Sequence, residues 1–65
     1  MNIVLNGEAY ATDAKTLDEL CARLGFAEAK IATAVNGNFV AAMARPAVEL
    51  APSDEIEIVA PRQGG

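Results

Sequence analysis

Residues Glu55–Val59 read EIEIV, an alternation of acidic and apolar side chains that ends on a valine. This two-residue period is typical of a β-strand with one buried face, and it directs Ile56 and Ile58 inward. The preceding Pro52-Ser53-Asp54 is a turn sequence, and Pro61 cannot continue a strand. We therefore predict a half-buried strand close to the end of the chain.

Two Asn-Gly pairs predict hairpin turns upstream of this strand. Asn6-Gly7 follows the alternating residues 2–6, and Asn36-Gly37 separates the apolar segments 31–35 and 38–40. Asn-Gly between such segments is the strongest short-range hairpin signal. Two further alternatives stay open: a helical turn or a loop at residues 41–46, and a short edge strand or a bend at 47–50.

Between the hairpins the apolar period changes to that of an amphipathic helix. Thr16 and Glu19 form a T-x-x-E capping box, and Gly25 suits the left-handed residue that ends a helix. Apolar residues recur at i, i+3, i+4 and i+7, which predicts a buried stripe of Leu17, Leu20, Cys21 and Leu24. Cys21 is therefore interpreted as a small core residue.

The order of elements favours an α+β class protein of the β-grasp, or ubiquitin-like, fold. We expect a mixed four- to five-stranded sheet in which the first and last strands pair in parallel at the centre and one main helix covers one face. With 65 residues there is room for one domain. We place it at residues 1–60, followed by a flexible C-terminal Gly-Gly tail at 61–65.

Composition excludes several functions. The net charge of −4 argues against binding nucleic acid. Histidine is absent and there is one cysteine, so no metal site, disulfide or catalytic residue is expected and the chain is not expected to be an enzyme. Neither a signal peptide nor a membrane span is evident, which predicts a cytoplasmic protein without membrane association.

The C-terminal Gly64-Gly65 is the candidate reactive group. A terminal carboxylate without a Cβ can enter a narrow channel in another protein, and residues 61–65 could reach about 16–18 Å when extended. Because a carboxylate is a poor electrophile, a partner would have to activate it as a mixed anhydride with AMP. A sulfur nucleophile could then displace the nucleotide.

Five segments span nearly the whole chain: NIVLNGE at 2–8, T-L-x-x-L at 16–20, AVNGNFV at 34–40, DEIEIV at 54–59 and the terminal GG. Each is generic alone, but their order and spacing are not, and together they resemble the ThiS family. The turn Pro52-Ser53-Asp54 replaces the acidic-glycine-acidic turn of the relatives. The approach formed by residues 60–63 is more polar than theirs, which bears on the choice of pathway.

The resemblance implies a sulfur carrier in thiamine biosynthesis. A ThiF-like adenylyltransferase, related to E1 enzymes, would use ATP and Mg²⁺ to adenylate Gly65. A sulfur source such as a cysteine desulfurase would convert the adenylate to a thiocarboxylate, and a ThiG-like thiazole synthase would consume it. Gly64, Gln63 and Arg62 would form the inserted tail, with Arg62 either in an acidic groove of the partner or solvated.

Two alternatives to this function stay open. One is the small subunit of molybdopterin synthase, which uses the same terminal chemistry, although such proteins tend to be longer and more apolar before the glycines. The other is a ubiquitin-like modifier or interaction domain.

A docking face is predicted from the same alternation. If Ile56 and Ile58 point inward, then Val4 and Val59 lie on the side of the sheet away from the helix. Phe39, beside the second turn, would either extend this apolar patch or cap the core. Scattered surface apolar residues are also ordinary, so a patch without function is the competing interpretation.

Overall fold

A computed structural model of the chain describes residues 1–26 and 30–60. In this part of the chain, five strands form one mixed sheet in the order β2-β1-β5-β3-β4. The predicted β-grasp fold is confirmed, with β1 and β5 parallel at the centre. The predicted tail at 61–65 lies outside the described residues. The elements are β1 (Asn2–Leu5), β2 (Glu8–Ala11), helix α1 (Leu17–Arg23), β3 (Ala32–Val35), β4 (Asn38–Val40), a 3₁₀ helix (Ala42–Ala47) and β5 (Glu55–Val59).

Both predicted hairpin turns are confirmed as two-residue loops. Asn6 and Gly7 have φ angles of 49° and 86°, and Asn36 and Gly37 have 51° and 85°. Positive φ at both central residues is the type I′ turn, whose twist matches that of the strands it joins. Asn tolerates this left-handed conformation better than most residues, and glycine adopts it freely.

The helix begins at the predicted cap, with one difference. Thr16 Oγ1 accepts a hydrogen bond from the Glu19 backbone N–H at 3.1 Å, whereas the Glu19 carboxylate accepts from the Lys15 N–H at 2.6 Å rather than from that of Thr16. Thr16 forms an isolated antiparallel bridge with Glu49. Residues 47–50 therefore contribute one bridge beside the helix start, with no edge strand there.

The helix ends at Arg23, and Gly25 takes the predicted left-handed conformation after it, with a φ of 90°. The Gly25 N–H donates to the Ala22 carbonyl at 3.1 Å, and the Phe26 N–H donates to the Cys21 carbonyl at 2.8 Å. These two bonds form a Schellman motif, which satisfies carbonyls at the end of the helix.

The segment after β4, left open by the sequence, is a 3₁₀ helix fixed by a buried arginine. Arg45 Nε donates to Thr33 Oγ1 at 3.0 Å, and its Nη2 donates to the Ile31 carbonyl at 2.8 Å. Thr33 in turn donates to the Val40 carbonyl at 2.8 Å. The guanidinium thus ties the 3₁₀ helix to strand β3, a link that periodicity did not predict.

The core lies between α1 and one face of the sheet. Ile56 of the central strand is 1% exposed. Burial raises the pKa of the Cys21 thiol, which agrees with its predicted packing role. The buried apolar residues are Ile3, Ala14, Leu17, Leu20, Cys21, Val40, Ile56 and Ile58.

Candidate functional site

Strand β5 determines where the C-terminal residues begin. It lies between parallel β1 and antiparallel β3, and its last residue, Val59, is paired with Ala32. At the end of β5 the strand pairing is with β3 alone, because the pairing with β1 stops at Ile56. The four predicted site residues of the tail, Arg62, Gln63, Gly64 and Gly65, lie outside the described residues.

Two asparagine side chains hold β5 at its two ends. Asn6 Oδ1 accepts from the Ile58 N–H at 2.9 Å, and its Nδ2 donates to the Ile58 carbonyl at 3.1 Å. Asn36 Oδ1 accepts from the Glu55 N–H at 2.9 Å, and its Nδ2 donates to Asp54 Oδ1 at 3.0 Å. Sequence reasoning used both asparagines only as turn residues, because their contacts with β5 depend on the strand order.

The face of the sheet opposite α1 carries an exposed apolar patch. In the strand register Phe39 is paired with Ala34, Ala34 with Glu57, and Ala32 with Val59, so these side chains share one face. Phe39 is 73% exposed and Val59 is 62% exposed. We call Ala32, Ala34, Phe39 and Val59 the open-face patch; together with Thr33 and Glu57 they line a shallow groove.

Phe39 therefore extends the patch and does not cap the core. Val4 also lies on the open face, where it is half-buried, but its partner in β5 is Glu55. Val59 is four residues further along the strand, about 13 Å away at the rise of a strand. The structure thus brings Phe39 and Val59 together and leaves Val4 apart, so a docking role for Val4 stays a prediction.

The charge on the open face is negative. Glu55 and Glu57 alternate with the buried isoleucines of β5 and are exposed. Glu57 lines the same groove as Phe39 and Val59, so the exposed apolar patch has a carboxylate beside it. No group of three or more His, Cys, Asp or Glu that could hold a metal is found in the described ranges 1–26 and 30–60.

A larger concavity lies at the other end of the sheet. It is lined by residues around the start of α1, including Asp13, Lys15 and Glu49, and by Met1. The Ser53 N–H donates to the Asn2 carbonyl there at 2.8 Å, so this is the end at which β5 begins. Because β5 ends at the opposite end of the sheet, this concavity lies away from Val59, the last residue of β5.

Comparison with known proteins identifies the family. The ThiS family model matches residues 3–65, which includes both hairpins, the helix, β5 and the C-terminal glycines. The chain belongs to the ThiS family. This membership confirms the resemblance of the five segments and supports a role as a small sulfur carrier.

A solved structure agrees with this family. The crystal structure of the thiamine biosynthesis protein ThiS from Geobacter metallireducens is similar to this chain with a TM-score of 0.79 and 29% identity, covering 100% of both chains. No curated protein matches the chain by sequence. In residues 1–26 and 30–60 there is no helix long and apolar enough to cross a membrane.

Proposed function

We propose that this member of the ThiS family carries sulfur on its C-terminal Gly65 and donates it for thiazole formation in thiamine biosynthesis. The observation that carries the proposal is the family match, which extends through the last residue. The likeness to a thiamine biosynthesis protein over the full chain supports the thiamine route over the molybdopterin route. The buried, unpaired thiol of Cys21 agrees with a reducing cytoplasm.

The chemistry belongs to the partner, and the chain supplies one reactive carbon. A ThiF-like adenylyltransferase would use ATP and Mg²⁺: a Gly65 carboxylate oxygen attacks the α-phosphorus, and pyrophosphate leaves. Sulfide then attacks the acyl carbon, the bond to AMP breaks, and the thiocarboxylate remains. The protein is in this sense a cosubstrate, which a thiazole synthase consumes as sulfur donor.

Docking of the head on the adenylyltransferase would use the open-face patch. Phe39 is an exposed aromatic residue of the kind that dominates binding energy at interfaces. The nearby Glu57 and the net charge of −4 would steer the chain toward a basic surface. Gly64, Gln63 and Arg62 would follow into the active site, where the absence of Cβ at Gly64 keeps the approach narrow.

Mass spectrometry tests the proposed reaction directly. The chain is incubated with ATP, Mg²⁺, a ThiF-like enzyme and sulfide, and we expect a mass gain equal to replacement of one oxygen by sulfur at Gly65. Without sulfide, we expect the acyl-adenylate. Persistent unmodified mass beside an enzyme that modifies its own cognate carrier would contradict the proposal.

Two variants of the last residue distinguish the effect of the position of the terminal carboxylate from the effect of an added side chain. Deletion of Gly65 leaves a carboxylate one residue short, and Gly65→Ala keeps the length but adds a Cβ. We expect the deletion to abolish adenylation and the alanine variant to reduce it. In cells lacking their own carrier, the unaltered chain should restore growth without thiamine and the Gly65 deletion should not. Growth supported by the deletion would contradict the thiamine role.

A further inference from the structure

The pairing of β1 with β5 ends one residue before the turn, and a side chain continues it. The Asn6 N–H donates to the Ile56 carbonyl at 2.9 Å, and the chain then turns away toward β2 at Gly7. Beyond this point, the backbone N–H and carbonyl of Ile58 point toward the β1 side of β5, where no residue of β1 is left to pair with them. The side-chain amide of Asn6 fills this place: it accepts from the Ile58 N–H at 2.9 Å and donates to the Ile58 carbonyl at 3.1 Å. It thus makes the two hydrogen bonds that one further residue of β1 would make.

We propose that Asn6 is a positioning residue for the chemistry at Gly65, acting through Ile58 to fix the direction in which β5 leaves the sheet. This inference rests on the proposed function. On its β3 side, β5 is paired as far as Val59. On its β1 side, within residues 1–26 and 30–60, Asn6 provides the hydrogen bonds to Ile58.

The geometry explains why this contact matters for the terminus. Gly65 follows Ile58 by seven positions, which span about 23–25 Å when extended. If the tail is extended in a channel of the partner, a small change in exit direction at Ile58 would shift the carboxylate by several ångströms. Acyl activation requires the reacting atoms to approach within about 3–3.5 Å, so fixing the exit in advance reduces the entropy lost on insertion.

Asn36 offers a matched control in the same molecule. It occupies the same position of the same turn type, and its amide also accepts one hydrogen bond and donates one. Its contacts are with the beginning of β5, at Asp54 and Glu55. Asn6→Gly and Asn36→Gly each remove one amide from a position where glycine adopts the positive φ without strain, so similar losses of stability are expected.

The enzymatic test compares these two variants with the unaltered chain at a temperature where all three are folded. Asn6→Gly removes both hydrogen bonds to Ile58, and we expect it to lower kcat for adenylation at least about two- to tenfold, since one ordinary hydrogen bond is worth about this factor. KM should change little because the open-face patch is intact. Asn36→Gly should leave kcat near that of the unaltered chain. Asn6→Asp keeps the acceptor but sets a carboxylate oxygen against the Ile58 carbonyl, so it should not restore kcat to that of the unaltered chain.

A second measurement needs no partner. In Asn6→Gly, ¹⁵N relaxation should show lower order parameters at Val59 and Ala60 and faster amide exchange at Ile58, with none of these changes in Asn36→Gly. Unchanged order parameters in Asn6→Gly would overturn the proposal, as would equal kcat losses in the two glycine variants. If the unaltered chain is not adenylated, the proposed function fails, and the relaxation data alone decide the role of Asn6.

Discussion

The two faces of the sheet share strand β5 but carry different residues and differ in burial. Toward α1, β5 presents Ile56 and Ile58, which are 1% and 7% exposed; on the other face it presents Glu57 and Val59. One face is therefore covered by the protein itself, whereas the side chains of the other are exposed. The difference indicates that substitutions one residue apart in β5 should affect either stability or recognition.

The largest expected effect is on the helix side. Ile56→Ala removes a buried side chain from the centre of the core and should cost about 2–5 kcal/mol of unfolding free energy. Urea unfolding followed by circular dichroism measures it. The control is Val59→Ala on the same strand, which should change stability by less than about 0.5 kcal/mol; equal losses would mean that the two faces do not differ as described.

The next largest loss of stability is expected for Arg45, a buried polar side chain on the helix side of the sheet. Arg45→Met keeps the aliphatic stem but leaves the Ile31 carbonyl and the Thr33 hydroxyl without their donor, at a cost of about 1–3 kcal/mol. Arg45→Lys should lose less, because an ammonium can still donate to one of them. Thermal unfolding of the three proteins provides the ranking, and a methionine variant as stable as the unaltered chain would show that the arginine does not hold the 3₁₀ helix.

On the open face the expected loss is in binding. Phe39→Ala should weaken the complex with the adenylyltransferase at least about fivefold, as truncation of an interface aromatic does, while unfolding free energy changes by less than about 0.5 kcal/mol. Met43→Ala is the matched control, because Met43 is 89% exposed and lies on the 3₁₀ helix outside the patch. Isothermal titration calorimetry measures both, and equal affinities for the two variants would remove the patch from the interface.

The sequence predicted the faces well and the contacts between distant segments poorly. Local periodicity alone was enough to predict the buried face of Glu55–Val59 and the buried stripe of the helix, because each element packs its apolar side into the core. The amide of Asn6 reaches a residue 52 positions away. No local pattern encodes that contact, and it follows only once β1 is placed beside β5.

The buried arginine was missed for a related reason. A charged residue before Pro46 in a small-residue segment is ordinarily exposed, and burial of Arg45 depends on acceptors that β3 supplies. The chemistry at Gly65, in contrast, was inferred from family resemblance and from the terminal glycines. Periodicity contributed only the position of the strand that precedes them.

The smallest effect concerns exposed charges at the start and end of α1, away from both faces. The Arg23 guanidinium, through a hydrogen bond and its charge, holds the pKa of Asp13 below its ordinary value of 3.8. The pKa of Glu19 is lowered from 4.5, mainly by the Lys15 backbone N–H and then by Arg23 at 3.1 Å. Because the unfolded chain binds protons more readily at both carboxylates, their stabilising contribution is present above pH 4.5 and is lost as pH falls through the lowered values.

Arg23→Gln should therefore reduce the loss of stability between pH 5 and pH 2, and added salt should have the same effect, since all three side chains are exposed and screened by solvent. Lys15→Gln is the control: it removes the same charge but keeps the backbone N–H that binds Glu19. Urea midpoints across this pH range give the comparison. Both variants remove one positive charge and leave the two faces of the sheet unchanged. If they follow the same pH profile, net charge governs acid stability and the Arg23 contacts do not.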